Sequence, residues 1–223
     1  ASNPMPVSMF MDGIFIGDGE ESILEMCDTL LEAKKSNATM SEKRKAISHI
    51  PGMWVPEFPA KQVTRRVLKD FANSVPPLHP VVPNVQATHN RAACEIFRGC
   101  IRGCRFCNAG FYYRPKRERP VKNIVKYACE MLKNTGEETL GLLSLSTSDY
   151  SEFESLVKEL NASKLYPEQT ISIPSLRMND NTIKLLDEKE LQSAKFIRNQ
   201  SGNQSELASI SSGVSSFISS FFS

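Results

Sequence analysis

The amino-acid sequence predicts an α/β fold with a parallel sheet, because short apolar strands alternate with amphipathic helices in the second half of the chain. The predicted strands fall at 92–97, 139–145 and 170–173. The predicted helices that follow them fall at 121–134, 151–160 and 181–196. The 223 residues are 40% hydrophobic and 23% charged, which is typical of globular domains that can bury a core.

The segment 1–50 predicts one strand–turn–helix unit and a second helix. The strand, glycine turn and two helices fall at 13–16, 17–21, 22–35 and 41–49. We expect Ser41 to cap the second helix, and a Pro-Gly pair follows it. Since one strand–helix unit is too small to form a domain, we interpret 1–50 as the C-terminal remnant of a larger one.

Two segments differ in composition from the rest of the chain. Residues 56–83 contain six prolines, which favour an extended connector, so we place a domain boundary within 51–90. Residues 199–223 are dominated by Ser, Asn, Gln and Gly, a composition that predicts a disordered tail. The α/β core is therefore expected at 91–198.

Charge and hydropathy exclude some classes of protein. A formal net charge of +2 gives no argument by itself for a nucleic-acid partner. No apolar run approaches the roughly 20 residues that span a bilayer, and no basic region followed by an apolar signal core opens the chain. We expect a cytoplasmic location and no membrane partner.

Three of the six cysteines lie within eight residues, directly after the first strand of the predicted core. Cys100, Cys104 and Cys107 have the spacing Cys-x3-Cys-x2-Cys. Thiolates are the soft ligands of iron–sulfur clusters, zinc and Cu(I). A four-iron cluster normally takes four cysteines, so three leave one iron open, and an open position is typical of catalytic metal sites. Gly99 and Gly103 allow the backbone to wrap closely around such a cluster.

Other interpretations of the cysteines stay open at this point. Three disulfides are disfavoured by the clustering. Zinc could add His79 or His89 as a fourth ligand, and an electron carrier could add Cys94. We expect Cys94, Cys27 and Cys129 to be structural thiols on apolar faces.

Seven basic residues surround the cysteine loop and are called the basic cluster: Arg98, Arg102, Arg105, Arg114, Lys116, Arg117 and Arg119. One interpretation is RNA binding, with Tyr112 and Tyr113 adding base stacking. The other, which we favour, is that these charges balance the thiolates and an anionic cofactor.

The cysteine loop, with Phe106 directly before its last cysteine, resembles the signature of the radical SAM superfamily. The run 98–119 resembles more narrowly the radical SAM proteins that carry a cobalamin-binding domain. This resemblance extends over about 3–179 and includes 17–21 and 50–56. It implies a partial (β/α) barrel, with about three of six βα units, preceded by the last βα unit of a Rossmann-like cobalamin-binding domain.

The resemblance also implies a chemistry. Cys100, Cys104 and Cys107 would each bind one iron of a 4Fe–4S cluster, and Phe106 would pack near the adenine of S-adenosylmethionine on the fourth iron. Such enzymes cleave S-adenosylmethionine reductively to a 5′-deoxyadenosyl radical, which abstracts a hydrogen atom from a substrate. A one-electron donor such as flavodoxin or ferredoxin is implied as a partner, and RNA is one class of substrate.

The sequence departs from the family pattern in two ways. A Gly-Gly-Glu motif is missing after the second core strand, where Ser146, Ser148 and Asp149 become candidate ligands for the amine or ribose, unless Ser148 or Asp149 caps the next helix. After the third strand, Ser175 and Arg177 could meet the carboxylate.

The second departure is the number of units, because the pattern fades after the third. We expect no cobalamin site in this chain, although a full-length protein could carry one. The alternatives to a radical SAM enzyme are therefore a catalytically incomplete fragment that binds the cluster and a zinc-containing RNA-binding module.

Overall fold

The computed structural model describes residues 3–85, 90–163, 169–173 and 175. The chain forms two compact units that divide between Phe71 and Ala72, inside the segment predicted as a connector. The helix prediction at 181–196 and the tail prediction lie outside the described residues, as do His89 and Arg177.

The first unit combines a two-stranded antiparallel sheet with two helices. Its elements are β1 (Ile14–Phe15), α1 (Ser22–Lys35), α2 (Met40–Ser48) and β2 (Met53–Trp54). A 3₁₀ helix at Met5–Phe10 precedes them. The core consists of apolar side chains from α2, β2 and the segments next to them: Ile47, Ile50, Met53 and Val55.

Two features of this unit test the sequence predictions. The helix at 22–35 is confirmed as α1. The predicted cap of α2 is wrong: the Thr39 hydroxyl accepts from the amide of Glu42, whose carboxylate accepts from the amide of Thr39. This reciprocal capping box satisfies two exposed amides at once, so the helix begins before Ser41.

The Rossmann-like interpretation of the first unit is not confirmed. In a Rossmann-like domain, the strands of successive βα units pair in parallel. Here β1 pairs antiparallel with β2, with Ile14 opposite Trp54 and Phe15 opposite Met53.

The second unit contains the parallel sheet that the alternation of strands and helices predicts. Its elements are β3 (Ala92–Glu95), β4 (Phe97–Arg98), α3 (Ala109–Tyr112), β5 (Arg117–Glu118), α4 (Val121–Thr135), β6 (Thr139–Leu143), α5 (Phe153–Ala162) and β7 (Thr170–Ser172). The sheet order is β3-β6-β7, with both pairs parallel. This mixed α/β arrangement is consistent with part of a radical SAM βα fold.

Apolar side chains from the sheet and from α4 and α5 form one core. Its fully buried members include Cys94, Ile124, Leu132, Leu140, Leu142 and Leu156. Full burial of an aliphatic side chain stabilises a fold by roughly 1.5–3 kcal/mol. The sheet is therefore the rigid base on which the loops at its carboxyl edge are built.

The predicted element bounds need correction near that edge. The strand predicted at 92–97 breaks at Ile96, whose amide donates to the carbonyl of Leu143, while Phe97 and Arg98 leave the sheet to form β4. A 3₁₀ turn at Thr147–Asp149 shortens the second strand and delays α5. Helix α4 ends at Thr135, and Gly136 directly after it has a left-handed backbone conformation that closes the helix.

None of the helices in the described part of the chain is long and apolar enough to cross a membrane.

Candidate functional site

The cysteine loop is closed at its base by a short antiparallel ladder. Phe97 of β4 lies opposite Glu118 of β5, and Arg98 lies opposite Arg117. The ladder joins the two ends of the segment 99–116. The cysteines are therefore carried on a loop whose base is hydrogen-bonded directly beside the end of β3.

Two glycines permit the close turns of this loop. Gly99 has a φ of +89°, and a Cβ there would lie 2.6 Å from the carbonyl oxygens of Tyr113 and Pro115. A Cβ on Gly110 would lie 2.9 Å from the carbonyl oxygen of Arg102. Larger residues at these positions would push the two arms of the loop apart.

The three cysteine side chains are half-buried free thiols. The amide of Arg102 donates to Cys100 Sγ at 3.4 Å, and the amide of Cys107 donates to the carbonyl of Cys104 at 3.0 Å. Among the described residues, which include His79, no three His, Cys, Asp or Glu side chains are arranged around a single metal ion.

The chemistry of this donor set fits a four-iron cluster. Each iron of such a cluster takes one thiolate, so the three thiols need not converge on one point. The donors are soft and partly accessible, and one sulfur already accepts a backbone hydrogen bond. The assignment of Cys100, Cys104 and Cys107 as ligands stays a prediction.

An open cleft lies beside the first cysteine. It has a volume of about 600 Å³ and is lined by Cys100, Ile101, Arg114, Pro115 and Lys116. Phe106, predicted to pack near an adenine, is 93% exposed on the same loop. A ring this exposed can stack against a planar ligand at little steric cost.

Asp149 links the carboxyl end of β6 to the cysteine loop. Its side chain is 4% exposed, and its Oδ2 and Oδ1 accept from Nε and a terminal nitrogen of Arg102 at 2.9 and 2.5 Å. Ser146 Oγ donates to Oδ2 at 2.8 Å, and Ser148 is buried beside it in sequence. The hydrogen bonds and negative charge of Asp149 raise the pKa of the Arg102 guanidinium, and the nearby cysteines add to this effect.

The interpretation of these residues as helix caps is wrong. Helix α5 begins at Phe153, and no side chain caps its first turn. Asp149 instead lies in the preceding 3₁₀ turn and pairs with the cysteine loop.

Ser175 lies next to this turn. Its carbonyl accepts from the amide of Thr147 at 3.1 Å, and its φ is +59°. The structure therefore brings together the loops that follow β6 and β7, as expected for the carboxyl edge of a parallel sheet, where ligands of open α/β folds bind. Arg177 lies outside the described residues.

Arg119, one member of the basic cluster, is part of the protein interior. Its side chain is 2% exposed, and its guanidinium donates to the carbonyls of Ser74 and Glu95 and lies over the ring of Tyr127. Burial lowers the pKa of Arg119. This residue holds the segment before β3 against the core and presents no charge to a ligand.

Other members of the basic cluster pair with carboxylates. Arg98 pairs with Glu95 at 2.7 Å, and Lys116 pairs with Glu118 at 2.5 Å. Burial opposes ionisation of Glu118, but hydrogen bonds from Lys116 and Ser151 lower its pKa overall. Because so much of the cluster is paired or buried, the interpretation as an RNA-binding patch is not supported.

The three remaining cysteines differ from one another. Cys94 is fully buried in the sheet, where burial raises the pKa of its thiol to about 11. Cys129 is half-buried, with its Sγ 3.7 Å from the carbonyl oxygen of Ser163. Our expectation for Cys27 is wrong: it is exposed, because α1 packs through Met26 and Leu30.

Two family descriptions match most of the chain. "Radical SAM proteins, N-terminal" matches residues 1–56, and "Radical SAM superfamily" matches residues 94–194. The chain belongs to the radical SAM superfamily. The second match contains the cysteine loop, the Asp149 turn and the parallel sheet except for the first two residues of β3.

A radical SAM chain of this kind implies a 4Fe–4S cluster and S-adenosylmethionine as cofactors. The chain is 26% identical over 194 residues to an uncharacterized protein of Methanocaldococcus jannaschii. That alignment covers 85% of this chain and 39% of the archaeal protein, so the chain spans well under half of its relative. A relation to cobalamin-binding proteins is not shown by these matches.

The sequence predictions missed one residue of this candidate site. Arg102 was counted only as part of the basic cluster, whereas the structure pairs it with Asp149. The two residues are 47 positions apart, so no local spacing indicates the pair. The sequence indicates the pair only indirectly, since each residue lies in a segment that follows a strand of the predicted parallel sheet.

Proposed function

We propose that this chain holds a 4Fe–4S cluster through Cys100, Cys104 and Cys107 and acts as a radical SAM enzyme. The observation that carries the proposal is the Cys-x3-Cys-x2-Cys loop at the carboxyl edge of a parallel sheet, within the segment matched by the superfamily. When bound, the cluster would supply the one electron that reductively cleaves a C–S bond of S-adenosylmethionine, giving methionine and a 5′-deoxyadenosyl radical for hydrogen abstraction from a substrate.

The chain's own residues hold and orient these groups. The three thiolates would each hold one iron, and because this loop has no fourth cysteine, one iron would be left for S-adenosylmethionine. The amide of Arg102 supports Cys100 Sγ, and backbone hydrogen bonds to sulfur tune cluster potentials. Flavodoxin or ferredoxin is the class of electron donor that this chemistry needs.

We assign the S-adenosylmethionine contacts by position. The exposed ring of Phe106 is available for the adenine, and Ser146, Ser148 and Ser175 lie on the loops that follow β6 and β7, where the methionyl group would bind. Asp149 is a poorer ligand for the amine than the sequence indicates, because Arg102 and Ser146 already occupy its carboxylate. Arg177 remains the candidate for the carboxylate.

A second candidate function is cluster binding without a complete reaction site. The described part of the chain contains three parallel strands, and the chain spans 39% of its archaeal relative. A full radical SAM barrel would enclose substrate on more sides. Release of 5′-deoxyadenosine distinguishes the two candidates, because the incomplete site would bind iron and sulfide without producing it.

The test is anaerobic reconstitution followed by electron paramagnetic resonance of the dithionite-reduced protein, with and without S-adenosylmethionine. We expect a reduced-cubane signal that changes on adding S-adenosylmethionine. Cys104→Ala should abolish the signal, and Cys27→Ala should retain it, because Cys27 is exposed in the other unit. Full iron and sulfide content in Cys104→Ala, or zinc in place of iron in the wild type, would contradict the proposal.

A further inference from the structure

The cysteine loop is joined to the rest of the second unit at its base and again near its first bend. The base is the β4–β5 ladder described above. The second attachment is the Arg102–Asp149 ion pair, in which both carboxylate oxygens accept from the guanidinium. Such a fork fixes the direction of the arginine as well as its distance, which a single contact does not.

The surroundings of Asp149 hold its carboxylate in place. The Asp149 side chain is 4% exposed, compared with 42% for Arg102. The Asp149 carboxylate is therefore buried at the edge of the sheet, and the Arg102 guanidinium extends to it from the loop. Ser146 Oγ donates to the same carboxylate at 2.8 Å. A buried carboxylate needs such partners, because removing them leaves a charge without compensation.

Both arms of the loop meet at this residue. Arg102 arrives from the arm that carries the cysteines, and Lys116 Nζ, from the arm that returns to β5, donates to the carbonyl of Asp149 at 2.6 Å. Lys116 is itself held by Glu118 at 2.5 Å. Asp149 is thus a common anchor for the two arms of the loop.

The position of Arg102 makes this anchor relevant to the cluster. It lies two residues after Cys100 and two residues before Cys104. Its side chain is fixed by Asp149 while its amide donates to Cys100 Sγ at 3.4 Å. Fixing this one residue therefore restricts the backbone between two proposed ligands.

We propose that Arg102 and Asp149 form a latch that holds Cys100 and Cys104 at the spacing the cluster needs, both acting as positioning residues. This inference rests on the proposed function, since it concerns the same cluster. It reassigns Asp149 from a contact of S-adenosylmethionine to a support of the loop. It also gives one arginine of the basic cluster a role other than binding an anionic ligand.

The chain offers a matched control for the latch. Arg105 lies between Cys104 and Cys107, is exposed, and forms no ion pair with any described residue. Arg105→Ala removes the same charge from the same loop without touching Asp149. Arg102→Ala removes the charge together with the latch.

The experiment compares how fast a chelator of ferrous iron removes iron from anaerobically reconstituted wild type, Arg102→Ala and Arg105→Ala. Loss of residues that orient metal ligands typically weakens metal binding by roughly 10–100-fold. We expect Arg102→Ala to release iron at least about tenfold faster than wild type. Arg105→Ala should show a much smaller increase, because it removes an exposed charge and leaves the latch in place. The reduced-cluster resonance of Arg102→Ala should also broaden, which a general loss of stability does not cause.

Two further variants keep the test informative if Arg102→Ala does not fold. Arg102→Lys retains the positive charge but replaces the two-bond fork by a single contact. Arg102→Gln loses both the charge and the fork. Iron release should increase in the order wild type, Lys, Gln. Equal rates for wild type, Arg102→Gln and Arg105→Ala would overturn the latch, whereas a wild type that takes up no cluster would overturn the proposed function instead.

Discussion

The cysteine loop and the sheet beside it are stabilised in opposite ways. Cys94 and Leu142 face each other across β3 and β6 and are fully buried, as is Leu132 of α4. On the loop, Phe106 is 93% exposed and the cysteine thiols are half-buried. The sheet is held by burial of apolar surface, while the loop is held by a short ladder, an ion pair and a glycine turn.

The difference indicates that the core provides the stability of the unit, while the loop provides the groups that contact ligands. A close-packed core resists rearrangement, which holds the strand ends in place. A loop held by a few directional contacts leaves its thiols and one aromatic ring accessible to ligands. Perturbing the core should therefore change the stability of the unit, and perturbing the loop should change cluster binding.

The strongest test of this comparison removes apolar volume from each region. Leu132→Ala should lower the free energy of unfolding by about 2–5 kcal/mol, because it leaves a cavity in the core. Phe106→Ala should change it by about 0.5 kcal/mol or less, because the ring is exposed. Urea denaturation of the cluster-free protein measures both, and equal losses would show that the loop is packed like the core.

The buried thiol of the sheet gives a pH test. Burial raises the pKa of Cys94 to about 11, above its ordinary value of roughly 8.5 in unfolded chains. Between about pH 8.5 and pH 11, the folded state retains a proton on Cys94 that the unfolded state has lost. The free energy of unfolding therefore falls as the pH rises through this range. We expect a loss of about 3 kcal/mol, because one unit of pKa difference corresponds to roughly 1.4 kcal/mol.

Denaturation of the cluster-free protein at several pH values measures this loss. Cys94→Ala serves as the control, since it lacks the titrating thiol and should show a shallower decrease over the same range. An identical pH profile for wild type and Cys94→Ala would assign the decrease to other groups.

The smallest expected effect distinguishes two glycines of the loop. Gly99→Ala should cost about 1–3 kcal/mol, because its φ of +89° and two carbonyl oxygens at 2.6 Å exclude a Cβ. Gly103→Ala should be nearly neutral, because nothing lies within 4 Å of a Cβ there. Thermal unfolding compares the two variants, and a neutral Gly99→Ala would show that the base of the loop can rearrange.

Regular elements were predictable because their signals are local. The 3.6-residue spacing of apolar residues predicts α1 with its observed bounds, and Pro120 marks the start of α4. The cap of α2 is also a local signal, because Thr39 and Glu42 have the capping-box spacing, which distinguishes Thr39 from Ser41. The break at Ile96 was not predictable, because it depends on the pairing of β4 with β5.

The sequence by itself determined the alternation of strands and helices, the cysteine spacing and, through them, the superfamily, because periodicity and spacing are properties of neighbouring residues. Only the tertiary structure decided that Arg102 binds Asp149, that Arg119 is buried and that Cys27 is exposed. Those outcomes depend on contacts between distant segments. They form only after the sheet has brought its strand ends together at one edge.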